Sequence, residues 1–125
     1  MKSDNAILDK SFSFAVRIVK LYQHLCTEQK EYVLSKQLLR SGTSIGANVN
    51  EAQAAQSIKD FIAKMSISSK EARETQYWLQ LLCETGYLDP QSQHVKSLLN
   101  ESLELIKLLT SIIKTTSQNS SKSNN

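Results

Sequence analysis

The side chains able to do chemistry in this sequence are few, and their spacing limits what they can do. His24 and His94 stand alone near the ends of apolar-periodic stretches and read as surface residues rather than ligands. Carboxylate-bridged metal sites in helical bundles need Glu-x-x-His pairs on facing helices, and no such pair occurs. Glu101 and Glu104 read as a solvated face. Cys26 and Cys83 lack a CxxC spacing and fall in apolar stretches, so they read as reduced core thiols. Gly42 and Gly46 sit inside a helical pattern without the lysine of a phosphate loop. No Ser–His or Cys–His arrangement stands out at a loop. The sequence therefore predicts no catalytic residue, no metal site, no cofactor, no small-molecule substrate and no enzyme.

Recognition chemistry is better represented. Asp60, Lys64, Ile67, Glu71, Glu74, Trp78 and Leu81 recur in steps of three and four, a coiled-coil-like seam on one face of a predicted third helix. From Tyr77 to Cys83 that helix is nearly apolar all round, unlike a monomeric surface helix. Two readings stand side by side: Trp78 covers the edge of the core, or Trp78 and Leu81 anchor a subunit interface whose charges set register. Lys64, Glu71 and Glu74 need partners wherever they are buried. The second helix offers Gln37, Arg40, Ser44, Asn48 and Glu51 within an arc of about 80°. That ridge is either a solvated face or a lock against the third helix, within or between subunits.

The elements that must position these residues are helical. A β-rich chain needs frequent turns, and 125 residues with 3 glycines and 1 proline supply few. Helix one spans about 5–27, with Leu8, Phe12, Ala15, Val19, Tyr22 and Cys26 on one stripe and Phe14, Ile18, Leu21 and Leu25 on its neighbour. Helix two spans about 32–55, with Leu34, Leu38, Ile45, Val49 and Ala52 inward. Each glycine inside it costs about 1 kcal/mol relative to alanine, which predicts close backbone approach at Gly42 and Gly46; a break near Ser41 to Thr43 is the alternative. Helix three starts after Ser57, capped with Asp60, and stops at Gly86. Its core face is expected to carry Ile58, Phe61, Ile62, Met65, Ala72, Leu79 and Cys83. Helix four is expected to be capped by Asp89, with Pro90 in its first turn and a clean stripe from Val95 to Ile113. Residues 115–125 hold no hydrophobic side chain and are expected to be a disordered tail. Short connections make an all-α, antiparallel up-down-up-down four-helix bundle over 1–114.

No segment approaches the roughly 20 apolar residues that span a bilayer, and no leader-like apolar run follows the polar N-terminus. The expectation is a bacterial-type cytoplasmic protein with no membrane partner. The net charge of +3 is mild, and the basic residues run from Lys2 to Lys122 without a dense block, so charge alone does not name a nucleic-acid site.

The segments SGTSIGANVNEAQAAQS (41–57), DFIAKMSI (60–67) and KEARETQYWLQLL (70–82) are similar to a bacterial family of four-helix-bundle proteins. That family includes the proteins encoded by intervening sequences within large-subunit ribosomal RNA genes; the accessory variability proteins of diversity-generating retroelements resemble it more distantly. The matching positions are Arg40, Ser44, Ile45, Asn48, Glu51, Asp60, Phe61, Lys64, Lys70, Glu71, Glu74, Tyr77, Trp78 and Leu79. Ala52 stands where many relatives carry glycine, as in a subgroup sharing the Tyr-Trp-Leu stretch. The resemblance implies a left-handed bundle assembling as a ring-like homopentamer. Five copies of a +3 chain would pool about +15, enough for salt-dependent phosphate binding. The functional expectation is thus a homo-oligomeric scaffold that binds RNA, DNA or a nucleoprotein. The rivals are a protein-interaction adaptor with no nucleic-acid role, and a structural assembly with no ligand.

Overall fold

The computed structural model describes the backbone of residues 2–123 and the side chains of residues 6–121. Its elements, in chain order, are α1 (Lys2–Thr27), α2 (Leu34–Ala52), α3 (Ile58–Glu84) and α4 (Gln93–Ser123), with no strand among the described residues. Cross-helix contacts fix the directions. Cys26 meets Ser35 and Ile18 meets Gly42; Arg40 meets Glu74 and Ile45 meets Ser68; Gln76 meets Ser102; Lys10 meets Glu104 and Arg17 meets Glu101. Each neighbour therefore runs antiparallel to the last, α4 closes back on α1, and α1 and α3 lie across the bundle from one another.

The core is one apolar cluster drawn from all four helices, with Phe14, Ile18, Leu38, Ile45, Met65, Leu79, Leu98 and Leu109 fully buried. On α1 the two candidate stripes separate. Phe14, Ile18, Leu21 and Leu25, joined by Ile7, face inward, whereas Phe12 is 71% exposed and Val16 and Val19 are also exposed. Periodicity fits either stripe; the choice falls to the partner helix. A Cβ on Gly42 would lie 2.7 Å from Ile18 Cγ2, and one on Gly46 would lie 3.3 Å from the Ser11 carbonyl oxygen. The glycines let α2 come close to that side of α1, and α2 runs unbroken through Ser41 to Thr43.

Helix ends follow local chemistry. The Ser57 side chain accepts from the Asp60 amide at 3.0 Å, and the Asp60 carboxylate accepts from the Gln56 amide at 3.3 Å. At the other end of α3, Gly86 adopts φ +84, Tyr87 N–H donates to the Leu82 carbonyl and Gly86 N–H donates to that of Cys83. These bonds form a Schellman motif. Three expectations need correction. Ser92, not Asp89, caps α4, its hydroxyl accepting from Val95 N–H at 3.1 Å; the Asp89 carboxylate accepts from Gln91 N–H within the preceding turn that holds Pro90. Ile58, assigned to the core, is 52% exposed because it sits in the first turn of α3, beyond the packed cluster. Finally, the polar segment expected to be a disordered tail continues α4 through Ser123; residues 124 and 125 lie outside the described residues. Extending a formed helix costs far less than nucleating one, and 115–123 contains neither glycine nor proline. Polar composition removed the packing, not the helix.

Candidate functional site

The seam between α2 and α3 gathers most of the residues singled out by spacing. The Arg40 guanidinium forks across α3, donating to Glu71 at 2.6 Å and to Glu74. Glu71 is 7% exposed, and its partner belongs to the same chain. The Trp78 indole N–H donates to Glu74 at 3.2 Å, one turn along. Hydrogen bonding from Arg40, then from Trp78, holds the Glu74 carboxyl below the usual carboxylate range against the opposing effect of burial. The same carboxylates raise the Arg40 pKa. Farther along, Lys64 reaches Glu51 at 3.9 Å, a loose pair.

The remaining ridge residues serve their own helices. Ser44 donates to the Arg40 carbonyl and Asn48 to that of Ser44. Asp60 caps α3. Lys70 is exposed, and Leu81 is half-buried. Trp78 is half-buried and packs on the core, while Tyr77 stays 57% exposed, its ring edge-on to Trp78 at 5.1 Å between centroids. Ile67 is 45% exposed. The structure thus brings Arg40, Glu71, Glu74 and Trp78 together and leaves Ile67, Lys70 and Tyr77 facing outward.

Beneath the fork runs a buried polar ladder that spacing did not single out. The Ser68 hydroxyl donates across to the Ile45 carbonyl at 2.8 Å. The Thr75 hydroxyl lies 3.0 Å from that of Ser41 and 2.8 Å from the Glu71 carbonyl. Ser41, Ser68 and Thr75 are all fully buried. Their signal was present in the sequence as small hydroxyl residues in phase with the apolar stripe (38–41–45 and 65–68–72–75–79).

On the opposite side, Arg17 of α1 pairs with Glu101 and donates to Ser97 at 2.9 Å, with the His94 ring nitrogen 3.3 Å away. Lys10 pairs with Glu104. Glu101 and Glu104 thus tie α4 to α1. Among the described residues no group of histidines, cysteines and carboxylates could hold a metal ion. Cys26 and Cys83 are free and half-buried, and burial pushes the Cys83 thiol up. Between α1 and α2 an open groove of about 390 Å³ is lined by Leu8, Phe12, Ala15, Thr43, Gly46, Ala47 and Asn50. No described helix is long and apolar enough to cross a membrane.

Comparison with known proteins bears on this arrangement. Residues 3–111 match the family described as 23S rRNA-intervening sequence protein. The chain is also similar to a crystal structure of a protein of unknown function from the S23 ribosomal protein family of Bacteroides thetaiotaomicron VPI-5482. The two share 58% sequence identity at a TM-score of 0.85, over 90% of this chain and 98% of the other. A comparison with curated proteins gives no match.

Proposed function

We propose, from the premise that this chain belongs to the 23S rRNA-intervening sequence protein family, that it is a non-enzymatic helical scaffold that self-associates and binds nucleic acid. The observation that carries the reading is exposed apolar surface on two helices, α1 and α3, that make no contact with each other. Phe12, Val16 and Val19 lie bare on α1, and Ile67 and Tyr77 lie bare on α3. The α1 residues, at spacing i, i+4 and i+7, form one contiguous patch, and exposed apolar surface of that kind marks an interaction site; Ile67 and Tyr77 stand singly on α3, with Lys70 and Arg73 between them. Two different surfaces on one subunit favour a head-to-tail contact, which closes into a ring when the rotation allows. A homopentamer fits that geometry and the family resemblance. The fork of Arg40, Glu71 and Glu74 belongs to the subunit's own fold in this reading, and the contact with a second copy shifts outward to Tyr77, Ile67 and the α1 stripe.

Nucleic acid is the partner class suggested by the family's association with 23S rRNA. Light scattering on a sizing column should give a mass several times that of the 14.1 kDa chain, and Phe12→Ser with Tyr77→Ser should reduce it to a folded subunit. Affinity for structured RNA should fall steeply as salt rises. A monomer at high concentration, or no RNA binding at low salt, would remove the corresponding half of the proposal. The same bare aromatics would serve a protein-docking adaptor; a defined protein partner recovered after nuclease treatment, with RNA dispensable, would favour that reading instead.

A further inference from the structure

The acids of this chain are occupied unevenly. Glu71 and Glu74 are held by Arg40, Glu51 by Lys64, Glu101 by Arg17 and Glu104 by Lys10. Glu31 accepts from backbone amides at the start of α2, and Asp60 and Asp89 accept from amides in their own turns. The α2–α3 and α1–α4 seams are therefore close to neutral. Of the exposed bases left without an ion pair among the described residues, Lys20 on α1, Lys30 in the α1–α2 connection and Lys36 on α2 lie apart, and the larger share is on α3 and α4. Lys59, Lys70 and Arg73 on α3, and Lys96 and Lys114 on α4, are exposed and make no ion pair among the described residues, whereas Lys107, also unpaired, lines the groove between α1 and α4 with Lys10 and Glu104. Glu84, near the end of α3, is the acid that spacing places among them. The fold brings two cations far apart in the sequence, Arg73 and Lys114, to one groove, and internal pairing leaves the α2–α3 and α1–α4 seams with less free positive charge.

We infer that the α3–α4 face is the surface on which this protein holds the phosphate backbone of double-helical RNA. The inference rests on the nucleic-acid reading above and assigns it a place. Between the helices lies an open groove of about 340 Å³ lined by Ser66, Ser69, Arg73, Thr110, Ile113 and Lys114. Cations with hydroxyl donors make the usual phosphate contacts. The groove's lining includes no aromatic ring, whereas single-strand binders stack bases on aromatic platforms. Duplex RNA is read largely through phosphates and 2′-hydroxyls, which suits Ser66 and Ser69 as donors, while Thr110, whose hydroxyl donates to the Ile106 carbonyl at 2.7 Å, can accept from a 2′-hydroxyl. From Lys96 to Lys114 α4 runs about 27 Å at 1.5 Å per residue.

The test is titration of a blunt RNA duplex of about 20 base pairs, long enough for a protein spanning about 16, with the full chain over a salt series. Arg73→Gln with Lys114→Gln should weaken binding about tenfold near 0.1 M salt and flatten the log–log salt slope by about 1.5–2. Arg73→Lys with Lys114→Arg should keep the wild-type slope. The charge-matched control, Lys20→Gln with Lys36→Gln on α1 and α2, should change affinity by less than about threefold, with circular dichroism verifying equal helicity. If the control loses as much as the test pair, or the test pair keeps the wild-type slope, this face is not the site although the RNA reading survives. If the unaltered chain binds no RNA at low salt, both fall. Tighter binding of a DNA duplex of the same sequence would overturn the choice of RNA.

Discussion

A single carboxylate closes the amino end of α2. The Glu31 side chain is buried, and its oxygens accept from the amides of Val33 at 3.2 Å, Leu34 at 3.0 Å and Ser35 at 2.7 Å. Burial alone would push its pKa up, but the amides of Ser35, Leu34 and Val33 outweigh that effect and hold it below the usual value. A depressed carboxyl pKa means stability that is present above the unfolded-state pKa, about 4.3, and is lost as pH falls through the lower folded value. Glu31→Gln should cost about 1 kcal/mol at neutral pH, in the range of a lost helix cap. In urea unfolding, the gap between the two proteins should narrow as pH drops below about 4; a gap constant with pH would separate Glu31 from the acid response. Side chains acting on their immediate neighbours were legible in the sequence: Ser57 with Asp60, and Gly86. Glu31 was not, because glutamate is not among the preferred N-cap residues and the apolar period starts the helix near 32, whereas α2 begins at Leu34 and leaves the amides of residues 33–35 free to meet the carboxylate. Nor were Ser41, Ser68 and Thr75, since a hydroxyl reads as polar until its cross-helix partner is placed.

At the scale of helices, α1 and α2 approach closely at Gly42. Alanine there improves intrinsic helix propensity by about 1 kcal/mol, yet its Cβ would fall 2.7 and 2.9 Å from the branches of the buried Ile18. Overpacking of this kind costs about 1–3 kcal/mol, so Gly42→Ala should lower the melting temperature. A rise would mean that α2 can shift away from α1 without loss. Helix number, order and antiparallel sense could be read from apolar period and connection length, and the inward faces of α2 and α4 came out nearly residue for residue. The choice of stripe on α1 could not be read, because Phe12 and Phe14 both sit in valid periodic sets and only docking against α2 separates them. The end of α4 failed for the opposite reason: its last turns lean on the helix before them rather than on any packed neighbour, and apolar content cannot report that.

Taken whole, the bundle has seams of different chemistry, and they should not open together. Hydrogen exchange ranks such units by the free energy needed to expose their amides. The α2–α3 pair, with its core contacts, buried hydroxyl ladder and Arg40 fork, should exchange slowest. The span 115–123 of α4 should exchange fastest among the helices, and equal protection there and in α3 would contradict this ranking. The ladder has a further consequence. Ser68 meets Ile45, and Thr75 meets Ser41, in one register alone. Inserting one residue within either helix would turn everything beyond it by about 100° and strand those hydroxyls against hydrocarbon. The protein can therefore grow over evolutionary time at its connections and its far end, while the lengths between Ser41 and Ile45, and between Ser68 and Thr75, are effectively frozen.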